Sequence, residues 1–206
     1  MNVLLINGSP HKNGCTYTAL SEVAGQLNKQ GIETNIFHIG TEPIRGCIGC
    51  RACNESGYCV FEDDPVNECI DLAKKADGIV IGSPVYFSGP NGYLCAFLDR
   101  MFFQKNAGYA YKPSAAVVSC RRGGASAAFD RLNKYFTISN MPIVSSQYWN
   151  AVHGNTPEEA RQDLEGMQIM RTLGNNMAWL LKCIEAAKNT VPYPKTEEKL
   201  RTNFIR

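Results

Sequence analysis

The first sixteen residues predict a strand, an anion-binding loop and a helix in immediate succession. An apolar run, Val3–Ile6, is followed by small and polar residues, and a helical pattern begins near Thr16. The first backbone N–H groups of a helix lack internal partners, and the helix dipole adds partial positive charge there. This arrangement is typical of α/β proteins that bind phosphate at the first strand. A plain strand–helix turn is the alternative, although such connections are usually shorter.

The spacing of the glycines in this first loop (residues 7–16) excludes two familiar nucleotide-binding motifs. A Walker loop has four residues between its glycines and then Lys-Ser/Thr. Here five residues separate Gly8 from Gly14, and Cys15 stands in place of the lysine. The dinucleotide fingerprint G-x-G-x-x-G is also missing from this loop. A site for one terminal phosphate remains, which suits a mononucleotide such as FMN. The candidate ligands are Ser9, His11, Asn13, Gly14, Cys15 and Thr16.

Composition limits the classes of partner and compartment. The 206 residues include 21 lysines and arginines against 19 aspartates and glutamates, a net charge of +2, which gives no electrostatic case for nucleic acid. No run of 18 apolar residues predicts a membrane span, and no leader pattern precedes the first strand. We therefore expect a cytoplasmic protein, in which the nine cysteines are reduced, metal-binding or catalytic rather than disulfide-bonded.

Short apolar runs alternate with helical patterns along the chain. Strands are predicted at residues 2–7, 33–39, 78–82, 115–119 and 142–146. Helices are predicted at 15–30, 65–76, 91–104, 125–139 and 157–189, the last with a break near Gly174. Five such strands separated by helices indicate an α/β protein with a parallel sheet covered on both faces. We expect one domain over residues 1–190, with a cysteine-rich insertion at 41–64 (the cysteine segment) and a tail at 191–206.

Ligands of such sheets bind beyond the carboxyl ends of the strands, so three loops are expected to meet there. The first loop is joined by an aromatic loop (residues 83–91) and an arginine loop (residues 119–124). The aromatic loop offers a stiff wall for a planar ring, and the arginine loop offers amides and positive charge for the pyrimidine end of a flavin. Packing of the aromatic rings on a helix, and solvation of the arginines, are the alternatives. The candidate ring-binding residues are Pro84, Val85, Tyr86, Phe87, Ser119, Arg122, Gly123 and Gly124.

These motifs resemble the flavodoxin-like NAD(P)H-dependent FMN reductases. The resemblance covers residues 1–145 and rests on the first loop, on the Ser-Pro-Val-Tyr-Phe motif at 83–87 and on the Asp-Arg pair at 99–100. It implies a flavodoxin-like three-layer sandwich with a five-stranded parallel sheet of order 2-1-3-4-5. It also implies FMN at the carboxyl ends of the strands and a homodimer or homotetramer. Cys15 departs from the family, in which a small polar residue is usual at that position.

Four cysteines in the cysteine segment, followed by the acidic pair Asp63-Asp64, resemble the iron–sulfur flavoprotein branch of this family. Cys47, Cys50, Cys53 and Cys59 have the spacing C-x2-C-x2-C-x5-C. Cysteines this compact let thiolates converge on a [4Fe–4S] cluster. The last gap is longer than in bacterial ferredoxins, and Gly57 supplies a flexible turn that lets Cys59 fold back. A zinc site and four uncoordinated thiols are the alternatives, although zinc more often uses two separated pairs of ligands.

Three functions follow as hypotheses. The first is an FMN-dependent oxidoreductase that takes hydride from NAD(P)H and passes electrons to a flavin, a quinone or another small acceptor. The second is an electron carrier that relays electrons from ferredoxin through a [4Fe–4S] cluster to FMN. The third is a non-enzymatic flavin-binding module. The isoalloxazine ring supplies the chemistry in the first two, so no catalytic side chain is predicted.

Overall fold

A computed structural model describes residues 1–104, 107–195, 197–198, 200 and 202–204. Its strands are β1 (Asn2–Asn7), β2 (Glu33–His38), β3 (Gly78–Tyr86), β4 (Gly89–Pro90), β5 (Ser114–Cys120) and β6 (Ala151–His153). Five of them form a parallel sheet of order β2-β1-β3-β5-β6, and β4 pairs antiparallel with the end of β3. The predicted order 2-1-3-4-5 is confirmed, because only the short β4 hairpin strand shifts the numbering.

Helices cover both faces of the sheet. They are α1 (Cys15–Lys29), α2 (Cys53–Ser56), α3 (Val66–Lys75), α4 (Gly92–Phe102), α5 (Ala125–Ile138), α6 (Pro157–Gln162) and α7 (Leu164–Ala187). Side chains alternate along each strand, so Val3 and Leu5 pack with α1 and α7, whereas Leu4 and Ile6 pack with α3, α4 and α5. The result is three layers. Within the described residues, none of the helices has the length and apolar character needed to cross a membrane.

The predicted fifth strand at 142–146 is wrong in position. That stretch makes a single bridge, between Ile143 and Ser114 at the start of β5. The strand itself is β6, which pairs with the end of β5 from Val118 to Cys120. Pro142 has no N–H to donate to a ladder, and its carbonyl accepts the Ser114 N–H instead. The chain leaves the sheet edge after this contact and returns to it at Ala151.

The predicted C-terminal helix at 157–189 is two helices, and its break lies at Asp163 rather than near Gly174. The Asp163 carboxylate accepts the N–H of Gly166 and so caps the first turn of α7. Gly174 lies inside α7, where it packs against α1. The predicted tail, 191–206, includes residues 196, 199, 201, 205 and 206, which lie outside the described residues.

Gly174 allows α1 and α7 to approach closely, which gives a testable prediction for stability. A Cβ at this position would lie 2.7 Å from Gln26 Cβ and 2.9 Å from the Val23 carbonyl oxygen. We expect Gly174→Ala to lower the free energy of unfolding by about 1–3 kcal/mol, because the backbones of α1 and α7 would have to move apart. Gly25→Ala is the matched control. A Cβ there meets none of the described atoms within 4 Å, so better helix propensity should raise stability by up to about 1 kcal/mol. Urea denaturation of both variants measures this, and equal effects would contradict it.

Candidate functional site

The amino-terminal end of α1 is open to an anion. Gly14 is the N-cap residue, and among the described residues no side chain caps the helix or places an acidic group in its first turn. The N–H groups of Cys15 and Thr16 are therefore not used by a side-chain cap, and the helix dipole is not offset there. The sequence of the first loop predicts this arrangement.

The first loop is held in place by polar groups from the ends of β1 and β2. The Asn7 Oδ1 accepts the Ser9 N–H at 3.1 Å, and the Asn7 Nδ2 donates to the Lys12 carbonyl at 3.0 Å. His38 pairs with Asn7 in the sheet register, and its Nε2 lies 2.8 Å from the Ser9 carbonyl oxygen. The Ser9 Oγ accepts the His11 N–H at 3.1 Å, and Ser9 is only 4% exposed. Sequence reasoning missed Asn7 and His38 as positioning residues.

The aromatic loop is bonded to the first loop through Asn91. Its Nδ2 donates to the Gly8 carbonyl at 2.9 Å, and its N–H donates to the Ser83 Oγ at 3.0 Å. The Gly8 N–H in turn donates to the Gly82 carbonyl at 2.9 Å. Any side chain at Gly8 would collide with Leu94, which lies 2.4 Å from a Cβ built there. The ends of β1 and β3 are thus tied together.

The arginine loop completes the convergence of the three loops. The hydroxyls of Thr16 and Ser119 lie 2.8 Å apart. Ser119 also pairs with Pro84 in the register of β3 and β5. Gly124 has a φ of +86°, and a Cβ there would lie 2.8 Å from the Ser88 Cα. The expectation that these loops meet at the carboxyl edge of the sheet is therefore confirmed.

The aromatic pair lies at an unusually strained turn. Phe87 and Ser88 join β3 to β4 with φ values of +50° and +60°, a region that L-residues rarely adopt. Phe87 is fully exposed and Tyr86 is 44% exposed. The alternative that both rings pack on a neighbouring helix therefore does not hold for Phe87. Strain of about 1–3 kcal/mol per residue of this kind is concentrated at functional sites.

The other predicted site residues lie around this edge with differing exposure. Pro84 and Val85 are half-buried, whereas His11, Asn13, Arg122 and Gly123 are exposed or nearly so. The Cys15 thiol lies 3.7 Å from the Gly154 carbonyl and donates to it. Burial raises the pKa of this thiol, which keeps it protonated as a donor. The thiol therefore faces Gly154. The backbone N–H of Cys15 is the group of this residue that is available to a phosphate.

The four clustered cysteines line one cavity. Cys47 and Cys50 are exposed and Cys53 and Cys59 half-buried. The cavity wall also includes Ile48, Arg51, Val60, Phe61, Arg100 and Phe103. Burial, followed by the neighbouring thiols of Cys47 and Cys50, raises the pKa of the Cys53 thiol. The cysteines that sequence spacing grouped are therefore neighbours in space.

The spacing that thiolate ligands need differs between two kinds of metal group. Within the described part of the chain, no three or more His, Cys, Asp or Glu side chains are placed to hold a metal ion. One zinc ion needs its thiolates at about 2.3 Å. A [4Fe–4S] cluster takes one thiolate on each of four irons and therefore accepts more widely separated sulfurs. Four thiols around one largely apolar cavity fit such a cluster in type and in location.

A buried arginine contacts the cysteine segment from beneath. Arg100, in the last turn of α4, forms an ion pair with Asp64, and both side chains are only 1% exposed. Its Nε donates to the Cys59 Sγ at 3.1 Å. Its two Nη atoms also donate to the carbonyls of Arg45 and Phe61. Sequence reasoning did not assign this cluster, because its members are far apart along the chain.

Comparison with known proteins agrees with this geometry. Residues 1–156 match the model of a family described as NADPH-dependent FMN reductase. An iron–sulfur flavoprotein of Methanocaldococcus jannaschii is 32% identical over 90% of this chain and 100% of its own length. One from Methanosarcina thermophila is 26% identical over 90% of this chain and 97% of its own. A crystal structure of a flavodoxin, WrbA-like protein from Agrobacterium tumefaciens superposes with a TM-score of 0.60 at 16% identity, covering 88% of this chain and 96% of that one, which shows the flavodoxin-like fold. The chain therefore belongs to the NADPH-dependent FMN reductase family, in its iron–sulfur flavoprotein branch.

Proposed function

We propose that this chain binds FMN where the three loops meet and uses it to transfer electrons. The observation that carries the proposal is the uncapped start of α1, bonded through Thr16 and Ser119 to the loop beside β5. The N–H groups of Cys15 and Thr16, with the Ser9 hydroxyl, would hold the phosphate. The isoalloxazine ring would lie between the aromatic loop and the arginine loop. Residues 1–190 would form the FMN-binding domain.

The residues around this edge have a positioning role in the proposal. FMN, when bound, accepts a hydride or single electrons and passes them on. The backbone of the aromatic loop, stiffened by Pro84 and by the short β4 hairpin, would fix the plane of the ring. Arg122 would place positive charge near its pyrimidine end and so favour the anionic reduced form. Tyr86 and Phe87, both exposed, would border the face on which NAD(P)H or a small acceptor such as a quinone stacks.

A specific observation favours the electron-relay function as a second candidate. The four clustered cysteines share one cavity, and the curated relatives described above are named iron–sulfur flavoproteins. In this form Cys47, Cys50, Cys53 and Cys59 would hold a [4Fe–4S] cluster that receives electrons from ferredoxin. The two functions differ in the electron donor and share the FMN site. The non-enzymatic flavin-binding module is the outcome that remains if no donor reduces the flavin.

Anaerobic reduction of the purified protein discriminates between the functions. Stopped-flow bleaching of bound FMN is followed with NADH, NADPH or reduced ferredoxin, alongside iron and acid-labile sulfide analysis. Bleaching by a pyridine nucleotide supports the reductase. Bleaching by ferredoxin that is lost in Cys53→Ser supports the relay, and Cys183→Ser, an exposed cysteine on α7, is the matched control. Failure of every donor to bleach FMN would contradict both electron-transfer functions.

Two substitutions in the first loop test how the phosphate is held. Ser9→Ala removes the acceptor of the His11 N–H and a proposed phosphate donor, so we expect the Kd for FMN to rise about tenfold. Cys15→Ala removes a thiol that donates to Gly154 and should change the Kd by less than about threefold. Fluorescence titration of the apoprotein with FMN measures both. The reverse ranking would indicate that the thiol contacts the phosphate.

We further propose that the protein is a cytoplasmic homodimer or homotetramer. Nine unpaired cysteines, all within the described residues, suit a reducing compartment. The oligomeric state is the one that the resemblance to the FMN reductases implies. Sedimentation velocity of the FMN-loaded protein should give a mass of two or four chains, and a monomer at micromolar concentration would contradict this.

A further inference from the structure

Cys59 differs from the other clustered cysteines in its electrostatic surroundings. Its sulfur accepts a hydrogen bond at 3.1 Å from the Nε of Arg100, a side chain that is only 1% exposed. Cys47 and Cys50, by contrast, are exposed to solvent. The cysteine cavity is therefore lined both by solvent-exposed thiols and by a buried cation.

All five N–H donors of the Arg100 guanidinium have acceptors. The two Nη atoms bond the two carboxylate oxygens of Asp64 and also the carbonyls of Arg45 and Phe61. The remaining donor, the Nε–H, is directed at the Cys59 sulfur. Arginine presents its donors in a rigid planar fork. The sulfur bond is consequently fixed by four other bonds and does not depend on a mobile side chain.

Asp64 offsets the charge of Arg100. The carboxylate is as deeply buried as the guanidinium, so the pair is neutral overall in a region with little water to screen it. The sulfur of Cys59 thus feels a nearby N–H dipole with positive charge, and a more distant negative charge. Removing Arg100 and removing Asp64 should therefore change the electrostatic potential at this sulfur in opposite directions.

We propose that the Arg100–Asp64 pair sets the reduction potential of the iron–sulfur cluster held by the four cysteines, with Arg100 raising it through Cys59 and Asp64 limiting the rise. This inference rests on the relay function proposed above. Hydrogen bonds to ligand sulfurs are one of the terms that set cluster potentials. The reduced cluster carries one more negative charge, so a donor on its ligand stabilises it. The step is the gain of one electron from an external reductant, with no bond made or broken and no proton transferred.

Two variants are expected to shift the midpoint potential with opposite sign. Arg100→Lys keeps the charge but loses the fork that directs an N–H at the sulfur, and it should lower the potential. Asp64→Asn removes the offsetting charge while keeping a carbonyl acceptor, and it should raise the potential. We expect each variant to change the one-electron equilibrium about tenfold, which is about 59 mV. If the pair only supported the local structure, both variants would lose iron, and the midpoint potentials of the two would not shift with opposite sign.

The experiment is a dithionite titration with redox mediators on anaerobically purified protein, following the cluster by electron paramagnetic resonance. Iron and acid-labile sulfide are measured on each sample. Asp63→Asn is the matched control. Asp63 is the neighbour of Asp64 in sequence, but its side chain is 57% exposed and forms an ion pair with Arg45. It should leave the potential unchanged.

The outcomes separate this inference from the function on which it rests. Opposite shifts in Arg100→Lys and Asp64→Asn, with none in Asp63→Asn, support it. Equal shifts, or none, in samples that retain iron overturn it and leave the relay intact. Wild-type protein without iron and sulfide overturns both. If Arg100→Lys loses its iron, the sign for Asp64→Asn decides: a rise supports the proposal, and no rise overturns it.

Discussion

Replacing Gly124 with alanine is expected to weaken FMN binding by about 30-fold or more. Gly124 has a φ of +86°, and a Cβ there would lie 2.8 Å from the Ser88 Cα and 3.1 Å from Val85 Cγ1. An L-residue in this conformation costs about 1–2 kcal/mol, and displacing backbone adds about 1 kcal/mol or more. The arginine loop and the aromatic loop would move apart, and the proposed FMN ring lies between them. A change of about 2 kcal/mol corresponds to this loss of affinity.

Gly123→Ala is the matched control for this variant. Gly123 adjoins Gly124, but a Cβ there meets none of the described atoms within 4 Å, and its φ is not in the positive region. Its N–H is kept, so the affinity should remain within about threefold of the wild type. Flavin fluorescence titration gives both dissociation constants, and thermal unfolding of the apoproteins reports folding separately. Equal affinities for the two variants would show that the proposed ring site does not depend on this loop contact.

Replacing Arg100 with methionine is expected to lower the free energy of unfolding by about 3–5 kcal/mol. The substitution leaves the Asp64 carboxylate buried at 1% exposure without its partner, and removing one member of a buried pair has effects of this size. The carbonyls of Arg45 and Phe61 would lose donors as well. Total stability is commonly about 5–15 kcal/mol, so the loss is a large fraction. Urea denaturation under reducing conditions measures it.

A second substitution distinguishes an unpaired charge from lost packing. The double variant Arg100→Met/Asp64→Leu removes both charges, and it should recover most of the lost stability. The exposed pair supplies the control, since Arg45→Met leaves Asp63 in solvent and should cost less than about 1 kcal/mol. A loss in Arg100→Met of less than 1 kcal/mol would contradict the view that this pair anchors the cysteine segment.

The fold was predictable because short apolar strands alternate with helices, and one deviation has a clear cause. The stretch at 142–146 is apolar, as a strand should be, but Pro142 cannot donate to a ladder, and only Ile143 bridges to β5. The edge strand forms later at Ala151–His153, in a short stretch with a weak pattern of its own. Tertiary pairing with the end of β5 determines where this strand lies, and sequence periodicity contains little information about such pairing.

The candidate site was predictable where its residues follow strand ends. Parallel strands deliver their carboxyl ends to one edge, so the contact between Thr16 and Ser119 follows from topology. The cysteines were grouped by spacing alone. The Arg100–Asp64–Cys59 cluster was not predictable, because its contacts span 36 and 41 residues of sequence. A buried arginine has no periodic signal, although an arginine on the apolar face of α4 was a usable hint.

The bonds that hold the first loop have a thermodynamic consequence for ligand binding. Asn7, His38 and Asn91 fix this loop to three parts of the sheet edge through hydrogen bonds within the chain. Ordering a flexible backbone costs about 1–2 kcal/mol per residue, and a loop that is already ordered avoids this loss when FMN associates. Preorganisation of this kind increases affinity without adding a contact. In the apoprotein, the Gly8 and Ser9 amides should therefore exchange slowly with solvent deuterium, at rates close to those of the FMN-bound protein.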